Sequence, residues 1–183
     1  LSHIHADHIG GLEGFLNANS DVTVYLPQSL PDSVKKTVKA AGAGLVEVSE
    51  SVRICPNVYS TGELGSWIKE QSLLIKTSNG LVVITGCAHP GIVNIIRKAK
   101  QLLGQHVYLA LGGFHLCWKN AWSIRSIVKG MKDEGVTKVA PCHCSGDSAR
   151  DLFKDAYDED FILVGAGRTV TLENAFAASR QGK

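Results

Sequence analysis

The opening run Leu1-Ser2-His3-Ile4-His5-Ala6-Asp7-His8-Ile9-Gly10-Gly11 sets three imidazoles and one carboxylate in an H-x-H-x-D-H pattern and closes on a glycine pair. In an extended segment, side chains two positions apart project the same way, so His3 and His5 can share one metal ion. If the backbone turns into a helix near Asp7, that carboxylate and His8 face a second ion a few ångströms away, the geometry of a two-metal hydrolytic site. Nitrogen and carboxylate donors make zinc the default ion, and manganese and iron accept the same set.

Outward from this run, Leu12, Phe15 and Leu16 have helical spacing, so the motif opens a helix from Gly11 to about Asn17. Residues 22–26 read as a β-branched strand. Pro27 and Pro31 bracket a turn before a helix through Val34 and Val38 that Gly42 and Gly44 end. Short strands are expected at 45–48, 52–54 and 57–61. Residues 72–77 and 80–85 flank Ser78-Asn79-Gly80, a hairpin in which Asn-Gly supplies the positive φ values. Ile92, Ile95, Ile96 and Ala99 give helical periodicity up to Gly104, and Val107 to Leu111 is a buried strand ending at Gly112-Gly113. A helix over 122–134, a strand over 138–140 and a helix over 148–156 complete the pattern. This alternation predicts an α/β layer architecture, and the tail after Leu172 is small and polar enough to fray.

At 183 residues, 44% hydrophobic and 20% charged, the chain suits one soluble domain spanning 1–183. A net charge of +2 implies neither nucleic acid nor membrane as a partner, and no apolar stretch of about 18 residues spans a bilayer. Five cysteines without disulfide-framework spacing fit a reducing cytoplasm. The sequence leaves the oligomeric state open.

Two later segments join the opening one: residues 82–94, containing Gly86-Cys87-Ala88-His89-Pro90-Gly91, and Pro141-Cys142-His143-Cys144-Ser145-Gly146. With Leu111-Gly112-Gly113-Phe114-His115-Leu116 they resemble the metallo-β-lactamase superfamily. The resemblance narrows to its archaeal and bacterial branch named for a dihydropterin methyl ribofuranosylaminobenzene phosphate synthase of methanopterin biosynthesis. It implies an αββα sandwich of two packed sheets flanked by helices, and mostly metal-dependent hydrolytic chemistry. Since that family places several strands and a helix before the first metal motif, the chain is expected to be an N-terminally truncated fragment. An uncovered sheet edge and reduced stability would follow, to be tested by solubility on expression.

His89 and His143 each lie just past an apolar strand, where rigid supports carry functional groups to a sheet rim, and both are taken as metal ligands. Many superfamily members bridge their two metals with an aspartate in a strand-end Gly-Asp, whereas this chain has Gly86-Cys87. Cys87 is either a thiolate ligand or a compact packed residue beside a liganding His89, and the second is preferred because buried cysteine commonly packs as a small apolar residue. Cys142 and Cys144 are expected to point away from His143 on an extended chain. Glu63 and Glu70 lie in a loop from which either is a conceivable ligand. The resemblance puts His115 near the substrate, for binding or proton transfer, and His106 falls on the far surface. Ser145-Gly146-Asp147-Ser148 leads into a helix, offering either a phosphate site on bare amides or an N-cap by Ser145 or Asp147.

The expected chemistry is metal-assisted hydrolysis with Asp7 and His115 as catalytic groups and a small, phosphorylated molecule as the implied substrate. Two rivals are a metal-binding module that senses a small molecule without turnover, and a di-iron oxidoreductase of the same fold.

Overall fold

The computed structural model describes residues 1–172, so the tail expected to fray beyond Leu172 lies outside the described residues. The chain opens with the one-turn α1 (Ala6–Ile9), α2 (Leu12–Ala18), β1 (Thr23–Pro27), α3 (Asp32–Ala40) and β2 (Gly44–Val48). A meander follows: β3 (Val52–Cys55), β4 (Val58–Ser60), β5 (Leu73–Thr77) and β6 (Gly80–Thr85). Then come α4 (Ile92–Leu103), β7 (Val107–Gly113), α5 (Ala121–Asp133), β8 (Lys138–Cys142) and α6 (Asp147–Tyr157).

β1 and β2 pair in parallel as a small sheet of their own, and β3 to β8 form a six-stranded sheet in sequence order. Its first half is antiparallel. From β6 onward it is parallel, because α4 and α5 are crossovers that return the chain to the same edge. Parallel register puts the C-terminal ends of β6, β7 and β8 on one rim, with Thr85 opposite Gly112 and Gly113 opposite Cys142.

The predicted elements recur within a residue or two, and the packing explains them. Ile92, Ile95, Ile96 and Ala99 form one stripe of α4, all buried against Leu81, Val83 and Ala110 of the sheet, with α5 and α6 adding Ile124, Met131 and Phe153. Burying this face drives the fold, at about 1.5–3 kcal/mol for each large apolar side chain. The Asn120 carboxamide caps α5 by accepting from the Ser123 amide at 2.9 Å, and Gly104 in the left-handed region closes α4. The small sheet has a separate core of Leu16, Leu26, Leu30 and Val38. In the β5–β6 hairpin the positive φ falls at Gly80 alone of the Asn79-Gly80 pair, correcting the expectation of two. There the Thr77 hydroxyl accepts from the Asn79 amide and donates to Gly80 O. No helix among the described residues is long and apolar enough to cross a membrane.

Candidate metal centre

Ser2 and His3 are drawn to the six-stranded sheet by Gln71, whose amide donates to Ser2 O at 3.0 Å and whose side chain donates to Leu1 O at 2.7 Å. The entry bends at Ile4 and turns at once into α1, gathering His3, His5 and His8: the His3 ring lies 4.8 Å from that of His5 and 4.2 Å from that of His8, closer than strict alternation along an extended segment would bring it. His3 Nε2 lies 3.1 Å from His5 Nδ1, which lies 3.3 Å from His89 Nε2. His8 Nε2 lies 3.2 Å from His143 Nε2 and 3.3 Å from Cys87 Sγ. Asp7 Oδ2 lies 3.1 Å from His143 Nε2 and 3.4 Å from His8 Nε2.

Two donors on one tetrahedral zinc stand roughly 3.3–3.8 Å apart, given bonds of about 2.0–2.3 Å. The observed separations therefore suit two neighbouring ions, one among His3, His5 and His89, the other among Asp7, His8, His143 and Cys87. All the residues proposed as metal ligands converge. His115 joins them from the side, its ring 4.3 Å from that of His89.

Cys87 fits the packed half of its alternative by burial and keeps the ligand half open by position. It is buried, yet its sulfur belongs to the His3–His5–His89 cluster and to the His8–His143 cluster. Cys144 corrects the expectation for the Cys-His-Cys run. The chain is not extended there: His143 has φ +53° and residues His143–Ser145 form a single 3₁₀ turn, which swings the Cys144 thiol toward Cys87, donating to Cys87 O at 3.8 Å.

Glu63 and Glu70 have different fates. Glu63 accepts from the Ser29 amide and pairs with Lys69, tying down its own loop. Glu70 is buried, and its carboxylate accepts four backbone amides: Gly86, Cys87 and Ala88 on Oε1 at 3.1, 2.8 and 2.9 Å, and His89 on Oε2 at 2.9 Å. It organises the strand-end loop that carries Cys87 and His89. Ser2 is another residue that sequence reasoning missed. Its hydroxyl lies 3.0 Å from His3 Nδ1 and 3.4 Å from His8 Nδ1, fixing the outer nitrogens of two ligands. Neither residue carries a periodic or motif signal.

Of the two Ser145 alternatives the N-cap gives way, and the first amides of α6 carry no side-chain cap. Its buried hydroxyl donates to Cys142 O at 2.7 Å and accepts from the Phe114 amide at 3.1 Å, bracing the turn against β7. Gly146 is the N-cap of α6 and no side chain caps it, while Asp147 pairs with Arg150. His106 stands at the start of β7, beside Gly80 and away from the centre, as expected.

The electrostatics suit cation capture. Burial lowers His3 to about 4, against the pull of Glu70, and burial likewise lowers His8 and His89, so all three imidazoles are neutral and ready to ligate at pH 7. Burial works upward on the Asp7 carboxyl, but a backbone hydrogen bond and the neighbouring His8 and His143 hold it below the usual range. Burial, reinforced by Cys144, pushes the Cys87 thiol far upward. Of the five non-glycine residues with positive φ among the described residues, Ala88, His115 and His143 sit at this centre; such strain, of order 1–3 kcal/mol each, clusters at functional sites. Two cavities flank it: one of about 730 Å³ reaching Asp7 and His8 between the two sheets, and one of about 320 Å³ lined by His89, Phe114, His115 and Lys119.

Known proteins resemble this chain in sequence and in fold. No family profile matches it. It is 28% identical to the 7,8-dihydropterin-6-methyl-4-(β-D-ribofuranosyl)-aminobenzene-5'-phosphate synthase of Methanocaldococcus jannaschii, over 93% of this chain and 73% of that one. An uncharacterized protein of the same organism is 35% identical over 49% of this chain and 33% of its own length. Among solved structures, a metal-dependent hydrolase of the β-lactamase superfamily superposes with a TM-score of 0.73 at 26% identity, covering 87% of this chain and 74% of the other. An isothiocyanate hydrolase from Delia radicum gut bacteria gives a TM-score of 0.60 at 11% identity, over 93% and 74% of the two chains. The fold is that of metallo-β-lactamase superfamily hydrolases, and the sequence is similar to the dihydropterin-ribofuranosyl-aminobenzene phosphate synthase.

Proposed function

We propose that this chain is a hydrolase-type enzyme whose two divalent ions, zinc in the first instance, act on a small, phosphorylated substrate. One observation carries the reading: two sets of donors stand side by side at ligand spacing, on a rim built from the first eight residues and three strand ends. When bound, the ions would supply Lewis acidity and a water of lowered pKa.

The chain's own residues do the rest. His3, His5 and His89 hold one ion, and Asp7, His8 and His143 hold the other with Cys87. Asp7, kept ionised at neutral pH, orients the attacking water and accepts its proton. His115, exposed beside His89, meets the substrate and returns a proton to the leaving group. Both cavities have the several-hundred-Å³ scale of small-molecule sites. Lys119 offers a cation to a phosphate in the smaller one, and the 5'-phosphate in the name of the similar synthase supports that substrate class. All five cysteines are free, which suits a cytoplasmic enzyme, and the slight net charge favours neither nucleic acid nor membrane as a partner.

Elemental analysis of the protein beside a His3→Ala/His5→Ala variant tests the reading. Two equivalents of zinc or manganese, lost in the variant, are expected, with turnover of phosphoester substrates that Asp7→Ala abolishes. One equivalent or none without turnover would favour the binding module, and two equivalents of iron would favour redox chemistry.

A further inference from the structure

We propose that Cys87, His115 and Cys144 form a soft-ligand cation site of their own, beside the nitrogen- and carboxylate-rich centre and sharing Cys87 with it. The site would take a thiophilic divalent ion, zinc or cadmium. Of its three members the hydrolytic reading leaves only Cys144 unused: it gives the Cys87 sulfur to the second ion and His115 to the substrate, so an ion held here would take His115 out of proton transfer. The ligand atoms of the three residues lie within 4.8 Å of one another. Two sulfurs and one nitrogen around a single zinc stand roughly 3.5–3.8 Å apart, given bonds of about 2.3 and 2.0 Å, so small side-chain rotations suffice to close the set.

The backbone is built to bring these donors together. They stand just past the ends of β6, β7 and β8, three adjacent parallel strands. Cys144 follows His143, whose left-handed φ of +53° turns the thiol inward, and His115 adopts φ +53° as well. Cys144 O accepts from the Leu116 and Cys117 amides at 3.2 and 3.3 Å, locking the loop that carries His115 to the loop that carries Cys144. Gly113 makes room for the sulfur: a Cβ there would stand 2.7 Å from Cys144 Sγ. Cys87 is buried, Cys144 partly buried and His115 exposed, so the set has an inner wall of sulfur and an outer nitrogen at the mouth of the smaller cavity. Binding exchanges two S–H bonds for two metal–sulfur bonds and releases both protons to solvent.

Cadmium alone, titrated into the chelator-stripped protein, tests this through sulfur-to-cadmium charge-transfer absorption together with bound-metal counts. A background with the exposed Cys55 and Cys117 changed to Ser removes their contribution. The expected intensity is that of two thiolates. Cys144→Ser halves it, leaving the ions of the histidine centre bound, and His115→Ala weakens cadmium binding without lowering the intensity at saturation. The His3→Ala/His5→Ala variant keeps the two-thiolate signal while losing the histidine-bound ion. Wild-type intensity in Cys144→Ser, or a one-thiolate signal in the parent, would overturn the site, and the parent measurement decides even if that variant fails to fold. Retention of every ion by the His3/His5 variant would instead sink the hydrolytic reading and leave this one standing.

Discussion

The metal centre is assembled from two halves of opposite construction. The front half, His3, His5, Asp7 and His8, comes from one short stretch whose shape depends on a few torsions and on Gln71 and Ser2 holding it in place. The back half, Cys87, His89, His115, His143 and Cys144, is spread over three strand ends and exists only because β6, β7 and β8 are in parallel register. A local cluster survives small changes in packing. A distributed one fails as a unit when a single strand shifts.

The sharpest break is expected from Gly112→Ala in the back half. Gly112 has φ +123°, and a Cβ there would stand 2.2 Å from Thr85 O across the β6–β7 pair. Strain and overpacking together should cost about 2–4 kcal/mol in denaturant unfolding, with ions lost from the back half. Wild-type stability in this variant would mean that the strand ends tolerate separation and that the two halves do not differ as described.

Next is Glu70→Gln, which leaves the loop fold but turns an amide N–H₂ toward backbone donors. Four amides depend on this carboxylate, so a loss of about 1–3 kcal/mol is expected, along with weaker metal binding through His89 and Cys87. Calorimetric metal titration beside thermal unfolding checks both parts, and an unchanged metal affinity would reduce Glu70 to a structural residue.

Ser2→Ala probes the front half through its support alone. Removing the hydroxyl between His3 and His8 should weaken metal binding by about 10–100-fold while moving stability little. An equal loss of stability would show that the front half is as dependent on packing as the back.

The smallest effect is expected far from both, at Glu134, whose carboxylate accepts from Lys100 at 2.9 Å and Arg97 at 2.6 Å to clip α4 to the end of α5. Those hydrogen bonds hold its carboxyl below the ordinary range. The folded pKa is thus the lower one, so the stabilisation is present above the unfolded carboxylate pKa and is lost as pH falls through the folded value. At neutral pH, Glu134→Gln should cost at most about 1 kcal/mol, because the pair is partly exposed and screened. The difference from wild type should vanish in acid, and a difference that persists there would assign the effect to packing.

The same contrast governs what could be read in advance. His3, His5, Asp7 and His8 were legible as a group because of their close spacing. Strands and helices were legible because apolar period follows burial, as in the α4 stripe. The hairpin was found from Asn79-Gly80, though not its φ values, which depend on how the Thr77 side chain bonds across the turn. Cys144 was misread because an extended chain was assumed, and nothing in Cys-His-Cys announces a left-handed histidine. Glu70 was offered as a ligand because a carboxylate's role depends on its neighbours, here four amides brought by a distant loop.

The sequence by itself determined the layer order and the grouping of His3, His5, Asp7 and His8 as candidate ligands, since periodicity and close spacing act over a few residues. Tertiary structure alone decided which sulfur and nitrogen atoms face one another across the strand ends, and that Glu70, Ser2 and Ser145 serve as supports. Those roles depend on the register of three parallel strands and on left-handed backbone at Ala88, His115 and His143, which only the packed sheet can hold in place.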